Sequence, residues 1–175
     1  MQPPLDDAIQ HKWLVQHIPH RIRAALPRES HQMPHPWTVK MHLPALVPVR
    51  CIANSVHEGR HGALRWLIYF VGITEQNGKA IKTRFTTNPT DVWIERFKTG
   101  SLFDLNSPDA VKLALVWRGC TQATGHPTEG TQHPDIREAK MNGALLIIID
   151  HLQKTIYAAQ GRSLGDDTLR VSDAP

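Results

Sequence analysis

Residues 107–125, SPDAVKLALVWRGCTQATG, contain the clearest helix start in the chain and indicate its fold class. The hydroxyl of Ser107 suits an N-cap, and Pro108 suits the first helical position because no backbone donor is needed there. Asp109 places a negative charge at the positive end of the helix dipole. A largely apolar run follows without a further proline, so this stretch predicts a packed α-helix.

Three other stretches carry the pattern of helices that bury one face. The first spans residues 5–27, where Pro19 predicts a kink or two abutting helices because proline removes a backbone donor. The second begins at about Pro44 or Pro48 and contains an apolar stripe. The third follows a second start signal, the His-Pro-Asp of 133–135. Together with the helix after Ser-Pro-Asp, these stretches predict a mainly helical protein.

The connections between these helices are predicted to be short or irregular. Residues 75–87 indicate a turn with a short extended or hairpin piece, and residues 91–98 indicate a short helix. Gly161 is a typical helix-ending residue. We therefore expect an all-α fold, a bundle of four to five helices with short extended connections. Residues 1–160 would form the single domain, and residues 161–175 a polar tail without fixed structure.

The overall composition is that of an ordinary soluble globular protein. The formal net charge of +4 and the isoelectric point near 9.3 permit a polyanionic partner, although the basic residues are scattered. The two cysteines, Cys51 and Cys120, lie in apolar, helix-like stretches, which suits buried thiols in a reducing compartment. The N-terminus lacks the pattern of a secretory signal, and no apolar run approaches the length of a membrane span. A cytoplasmic protein without a membrane partner is expected.

Residues 57–61, HEGRH, have the spacing of a zinc hydrolase motif and resemble the HExxH signature of zincin metalloproteases. On a helix, His57 and His61 lie four residues apart on one face and can present two imidazoles to one metal ion. Glu58 would then activate a metal-bound water. This pentapeptide supports an alternative function, a zinc-dependent hydrolase with zinc as its cofactor.

A zinc site would also need a third protein ligand, and no downstream signature selects one. Five side chains are candidates: His126, Glu129, His133, Asp150 and His151. Two features count against the motif. The chain contains eleven histidines, which raises the frequency of accidental matches, and Arg60 places a positive charge beside His61. We therefore favour the interpretation that HEGRH is the polar stripe of a packed helix.

A second candidate site lies where the helix after Ser107 ends. Arg118, Gln122 and His126 are spaced four and four, so they line one edge of the helix if it continues that far. An arginine can stabilise charge on a phosphate, and a histidine can act as a general acid or base. These three residues are the predicted catalytic set, with Gln122 in a supporting role and no cofactor.

The layout of residues 108–157 resembles the HEPN superfamily of helical bundles. In those proteins a helix ends in an arginine and a histidine separated by four to six residues, and the next helix packs back against it. Arg118 and His126 occupy the matching positions, with seven residues between them. The resemblance implies a metal-independent ribonuclease or toxin, or a degenerate relative without catalysis. It also implies a homodimer in which the paired arginines and histidines meet at the subunit interface.

The working hypothesis is therefore an HEPN-like module directed at nucleic acid, with RNA as the expected partner and a toxin–antitoxin or phage-defence setting. Zinc-dependent hydrolysis through His57, Glu58 and His61 is the first alternative. The second alternative is a non-enzymatic interaction protein whose polar loop at 126–135 contacts a partner protein.

Overall fold

The computed structural model of the chain describes residues 3–26, 49–84, 91–125 and 138–165. Within these ranges it describes the side chains except those of residues 49–58 and 123–125. The described residues are mostly helical, with one small two-stranded sheet, so the expectation of a helical protein with minor extended pieces is confirmed in this coarse form. The number of helices in the bundle stays a prediction, as does the extent of the single domain.

Helix α1 is built from three consecutive pieces: α-helical Asp7–Lys12, π-helical Trp13–His17 and α-helical Ile18–Ala25. Its first turn is capped by Asp6, whose carboxylate accepts a hydrogen bond of 2.8 Å from the Ile9 backbone N–H. The expected interruption at Pro19 takes the form of the π-helical turn directly before it. The chain therefore continues through the proline as one helical rod.

Helix α2, Val49–Phe70, begins directly after Pro48, at one of the two expected positions. It carries the whole of HEGRH, so the prediction that this motif is helical is confirmed. The second half of the helix is buried on several sides, with Leu64, Leu67 and Ile68 fully inaccessible to solvent. This burial matches the apolar composition of the helix end.

The two strands β1, Ile73–Gln76, and β2, Lys79–Lys82, form an antiparallel hairpin in which Gln76 pairs with Lys79. The turn consists of Asn77 and Gly78, with φ values of 53° and 79°. A turn with two positive φ angles is the usual partner of a twisted hairpin, and an Asn-Gly pair adopts it readily. The expected hairpin after the second helix is therefore confirmed.

The helix predicted over residues 91–98 does not form as expected. Residues 91–93 are not helical, and only a 3₁₀ turn, Ile94–Arg96, is present. Three inward-pointing side chains explain the difference, since Trp93, Ile94 and Phe97 are all buried against the core. Tertiary packing of these apolar residues outweighs the weak helical propensity of the segment.

Helix α3, Pro108–Gly125, begins where the Ser-Pro-Asp signal predicts. The Ser107 hydroxyl accepts a hydrogen bond of 3.2 Å from the Ala110 backbone N–H, which is an N-cap bond. Helix α4 consists of α-helical Glu138–Leu152, π-helical Gln153–Tyr157 and a 3₁₀ turn, Ala158–Gln160. The start signal predicted for it at 133–135 lies outside the described residues.

Helix α4 ends at Gly161, which adopts the left-handed conformation with φ 65° and confirms the predicted stop. The chain then folds back onto the helix, because the Gln153 side chain accepts from the Leu164 N–H at 2.8 Å and donates to the Arg162 carbonyl at 3.2 Å. Leu164 is only 3% exposed. The first residues after Gly161 are thus packed, and residues 166–175 lie outside the described part.

One core connects the helices, the hairpin and the segment around the 3₁₀ turn. Its largest fully buried side chains come from every part of the described chain: Leu14, Ile18, Phe70, Ile73, Phe97, Leu113, Met141 and Tyr157. Within the described ranges, no helix combines the length and the hydropathy needed to cross a membrane.

Candidate functional site

Arg118 lies on the exposed side of α3, with half of its side chain (51%) accessible to solvent. Its guanidinium approaches the Glu75 carboxylate of β1 at 3.8 Å, and that carboxylate also accepts from the Gly78 backbone N–H in the hairpin turn. The Glu75 side chain is only 11% exposed, but 3.8 Å is longer than a charge-assisted hydrogen bond, so the pair is a loose one. Arg118 is therefore held near the hairpin without being fully occupied by it, and it can bind an external anion.

Gln122 follows Arg118 by one helical turn, as the sequence predicted. The two residues continue a stripe that begins with Val111 and Leu115, since spacings of four, three and four place all four side chains on one side of a helix. Val111 and Leu115 are 48% and 51% exposed, so apolar surface adjoins the two polar residues on this stripe. The Gln122 Oε1 atom is buried and has no hydrogen-bond partner in the described part of the chain.

Arg65 and Trp117 form a contact that the sequence pattern did not predict. The Arg65 guanidinium lies 5.7 Å from the centre of the Trp117 ring, within the range of a cation–π interaction. Both side chains are partly exposed, and Trp117 directly precedes Arg118. We call Arg65, Trp117, Arg118 and Gln122 the arginine–tryptophan surface. No local sequence signal links Arg65 to Trp117, because they lie on different helices. The only hint in the sequence is that an arginine and a tryptophan can form a cation–π pair.

His126, the predicted acid or base, lies outside the described residues, and so does the loop at 126–135. The structure therefore brings Arg118 and Gln122 onto one surface, while the position of the histidine relative to them stays a prediction.

The structure describes the side chains of only the second half of the HEGRH motif. The side chains of His57 and Glu58 are not among those described, whereas His61 is buried with 5% exposure. No cluster of three or more His, Cys, Asp or Glu side chains with metal-binding geometry occurs in the described part of the chain. Of the candidate third ligands, Asp150 lies on the surface and pairs with Lys154 at 2.7 Å. Zinc binding by this motif stays a prediction.

Arg60, the arginine of HEGRH, has a structural role that the sequence did not reveal. Its Nε donates to the Ala25 carbonyl at the end of α1 at 3.0 Å. Its two terminal nitrogens donate to Glu138 at 3.0 Å and to Asn142 at 2.6 Å, both on α4. One buried guanidinium thus joins three helices and satisfies a carbonyl that a helix end leaves without a donor.

Cys120 is fully buried on α3, as expected for a core thiol. Burial raises the pKa of its thiol to about 12, and the nearby positive charges of Arg60 and Arg65 oppose this shift only in part. A thiol with such a pKa is protonated at neutral pH, so it is a poor nucleophile. The side chain of the other cysteine, Cys51, is not described.

His151, on α4, is half-buried against the segment before α3. Its Nε2 lies 2.9 Å from the Ser101 carbonyl, and its ring packs against Phe103 at a centroid distance of 4.8 Å. Burial lowers the pKa of this imidazole, while the Ser101 carbonyl and the Asp150 carboxylate act in the opposite direction. The neutral ring is thus the form that the fold favours.

Comparison with known proteins identifies no relative from which a function could be transferred: no protein-family model matches the chain, and neither the curated proteins nor the solved structures contain a significant match.

Proposed function

We propose that the chain is an HEPN-like, cytoplasmic module that binds single-stranded RNA through the arginine–tryptophan surface. The observation that carries this proposal is the contact of the Arg65 guanidinium with the partly exposed Trp117 ring, next in sequence to the half-exposed Arg118. Guanidinium groups bind phosphate oxygens, and an aromatic ring offers a face on which a base can stack. This combination is typical of surfaces that bind single strands without strict sequence preference.

The finer proposal is that the bound RNA is cleaved without a metal ion. Arg118 would contact the scissile phosphate, Gln122 would support it, and His126 would act as general acid or base. A homodimer would bring two such sets together, and the exposed apolar pair Val111 and Leu115 on the same stripe supports this arrangement. A degenerate relative would keep the binding surface and lack the cleavage.

Fluorescence anisotropy with a short labelled single-stranded RNA tests the binding proposal. We expect an Arg118→Gln variant to bind about three- to tenfold more weakly, and to lower the slope of log affinity against log salt by about 0.7. Lys154→Gln is the matched control, because it removes the same charge from another helix and leaves the arginine–tryptophan surface intact. Equal losses in both variants would show that only net charge matters and would overturn the proposed site.

Cleavage is tested separately by incubating the same RNA with the purified chain in excess EDTA. The ribonuclease proposal expects products that persist in EDTA and disappear in His126→Ala. Binding without cleavage identifies the degenerate relative.

The two alternatives predict other results. A zinc hydrolase would contain about one zinc per chain, lost on changing His57 and His61 to Ala. An interaction protein would fail to bind RNA and would form a stable complex that changes in the loop at 126–135 disrupt.

A further inference from the structure

A second surface feature, separate from the arginine–tryptophan surface, is a pocket of about 400 Å³ between α1, α2 and the segment before the 3₁₀ turn. This volume lies within the range of small-molecule sites. Five of its lining residues are aromatic, and the others are one carboxylate and one valine: Trp13, Trp66, Tyr69, Phe70, Trp93, Asp91 and Val92. Trp13, Trp66 and Tyr69 are partly exposed, so a ligand can reach their rings.

Three of the five aromatic rings in this pocket, those of Trp13, Trp66 and Phe70, lie nearly parallel and form a stacking platform. The planes of Trp13 and Trp66 differ by 17°, those of Trp13 and Phe70 by 6°, and those of Trp66 and Phe70 by 18°. Their centroids lie 5.1–6.2 Å apart, which is the spacing of offset stacked rings. Nearly parallel rings suit a flat ligand, whereas the cages that enclose a quaternary ammonium group present their ring faces from several directions.

The charges around the pocket also disfavour a simple cation as ligand. Arg21 already lies over the Trp66 ring at 5.3 Å, and Arg96 lies over the Trp93 ring at 5.9 Å. A second cation on these rings would be repelled by both guanidinium groups. The positive charges of these two arginines do not repel a ligand that carries a phosphate. The Arg21 side chain is exposed, so a phosphate can reach it.

The Asp91 carboxylate provides a specific acceptor at the edge of the platform. It lies close enough to Tyr69 to contribute to the raised pKa of that phenol, after the larger effect of burial. An ionised carboxylate accepts hydrogen bonds through both oxygens and donates none. A flat ligand that fits it must therefore present N–H donors along one edge.

We propose that this pocket binds a single guanine-type nucleobase, stacked on the tryptophan platform, with its two adjacent N–H donors on the Asp91 carboxylate. Guanine presents a ring N–H and an amino group side by side, which match the two carboxylate oxygens. Uracil offers only one N–H, flanked by carbonyl oxygens that Asp91 would repel. The proposal does not depend on the Arg118 site, and it adds base selection at a separate place on the chain.

Isothermal titration of the full chain with guanosine 5′-monophosphate and uridine 5′-monophosphate tests this proposal. We expect the guanine nucleotide to bind at least about tenfold more tightly, the discrimination typical of a two-donor contact to a base edge. The indole N–H signals of the five tryptophans, recorded by NMR, locate the ligand. The signals of Trp13 and Trp66 should shift most.

Two variants and one control sharpen the test. Asp91→Asn keeps the size of the side chain but turns one acceptor into a donor, so it should remove the preference for guanine by weakening the guanine nucleotide and relieving the repulsion of the uracil carbonyls. Trp66→Leu should weaken both nucleotides by loss of stacking. Asp150→Asn, which removes an exposed carboxylate on α4, is the matched control and should bind both nucleotides as the unchanged chain does. The Trp13 and Trp66 signals distinguish binding in this pocket from binding at the RNA surface, which would shift the Trp117 signal instead.

Three results would overturn the proposal: no nucleotide binding, a guanine preference that survives Asp91→Asn, or tighter binding of choline than of the guanine nucleotide. The last result would identify the pocket as a site for quaternary ammonium ligands.

Discussion

The phenolic hydroxyl of Tyr157 donates a hydrogen bond of 2.7 Å to the carbonyl oxygen of Leu14, and both residues are fully buried. The contact joins the π-helical turn of α4 to the π-helical turn of α1. In α1, the Ile18 N–H donates to the Trp13 carbonyl instead of that of Leu14, and Pro19 has no N–H to offer. The Leu14 carbonyl thus lacks both of its usual helical donors, and a side chain from the far end of the chain replaces them.

Removal of this hydroxyl should destabilise the fold. We expect Tyr157→Phe to lower the free energy of unfolding by about 1–3 kcal/mol, because it leaves a buried carbonyl without a donor. Urea denaturation measures the change. Thr155→Val, which removes a hydroxyl that donates to the His151 carbonyl one turn earlier in the same helix, is the comparison variant and should cost less.

A second substitution tests the reason for the bond. In Pro19→Ala, the new backbone N–H can donate within α1 and free the Tyr157 hydroxyl from this role. The cost of Tyr157→Phe should therefore be smaller in the Pro19→Ala background. Equal costs in the two backgrounds would show that the missing proline donor is irrelevant to the contact.

Arg60 should be more important for stability than its place in a zinc-like motif suggests. Arg60→Met keeps an unbranched stem but removes the bonds to Ala25, Glu138 and Asn142, so we expect a loss of about 2–4 kcal/mol in the free energy of unfolding. Arg118→Met, at an exposed and weakly paired arginine, should change it by less than about 0.5 kcal/mol. Similar losses in the two variants would contradict the assigned role.

Cys120 should resist modification in the folded protein. With a thiol pKa of about 12, only roughly one thiol in ten thousand is ionised at pH 8, and the side chain is buried. A Cys51→Ala variant leaves Cys120 as the sole thiol, and alkylation followed by mass spectrometry measures its rate of reaction. We expect labelling only after unfolding in urea. Rapid labelling of the native variant would show that α3 opens in solution.

His151 should make the fold less stable in mild acid. Burial lowers the pKa of its imidazole in the folded state, so below the unfolded value of about 6.5 the unfolded chain binds the proton more readily. The stabilisation is complete above that value and decreases as the pH falls through the window beneath it. His151→Gln should reduce the fall in the urea midpoint between about pH 7 and pH 5.

His17 contributes to the same trend, because burial, followed by the charges of Lys12, Arg21 and His20, lowers the pKa of its imidazole too. Its ring is largely exposed, so His17→Gln should have the smaller effect on the pH dependence. An unchanged pH profile in the His151 variant would mean that its ring is as accessible in the folded state as in the unfolded one.

Local chemistry was sufficient to predict several elements from the sequence. Ser107, Pro108 and Asp109 define the start of α3, the Asn77–Gly78 pair defines the hairpin turn, and Gly161 ends α4. Each of these signals depends on backbone conformation or on hydrogen bonds between residues a few positions apart. Such effects operate in any surroundings, so the sequence determined them by itself.

The tertiary structure decided the features that depend on distant partners. Trp93, Ile94 and Phe97 point into the core and prevent the helix expected over 91–98. Arg60 was visible in the sequence only as a cation beside a histidine, yet it connects three helices.

The candidate sites divide in the same way. The spacing of Arg118 and Gln122 placed them on one stripe in advance, whereas the contact of Arg65 with Trp117 and the aromatic pocket beside Asp91 required the packed helices. The sequence specifies which side chains share a helix face, because the helical repeat is fixed. Which faces meet depends on how the whole core packs, and no local pattern contains that information.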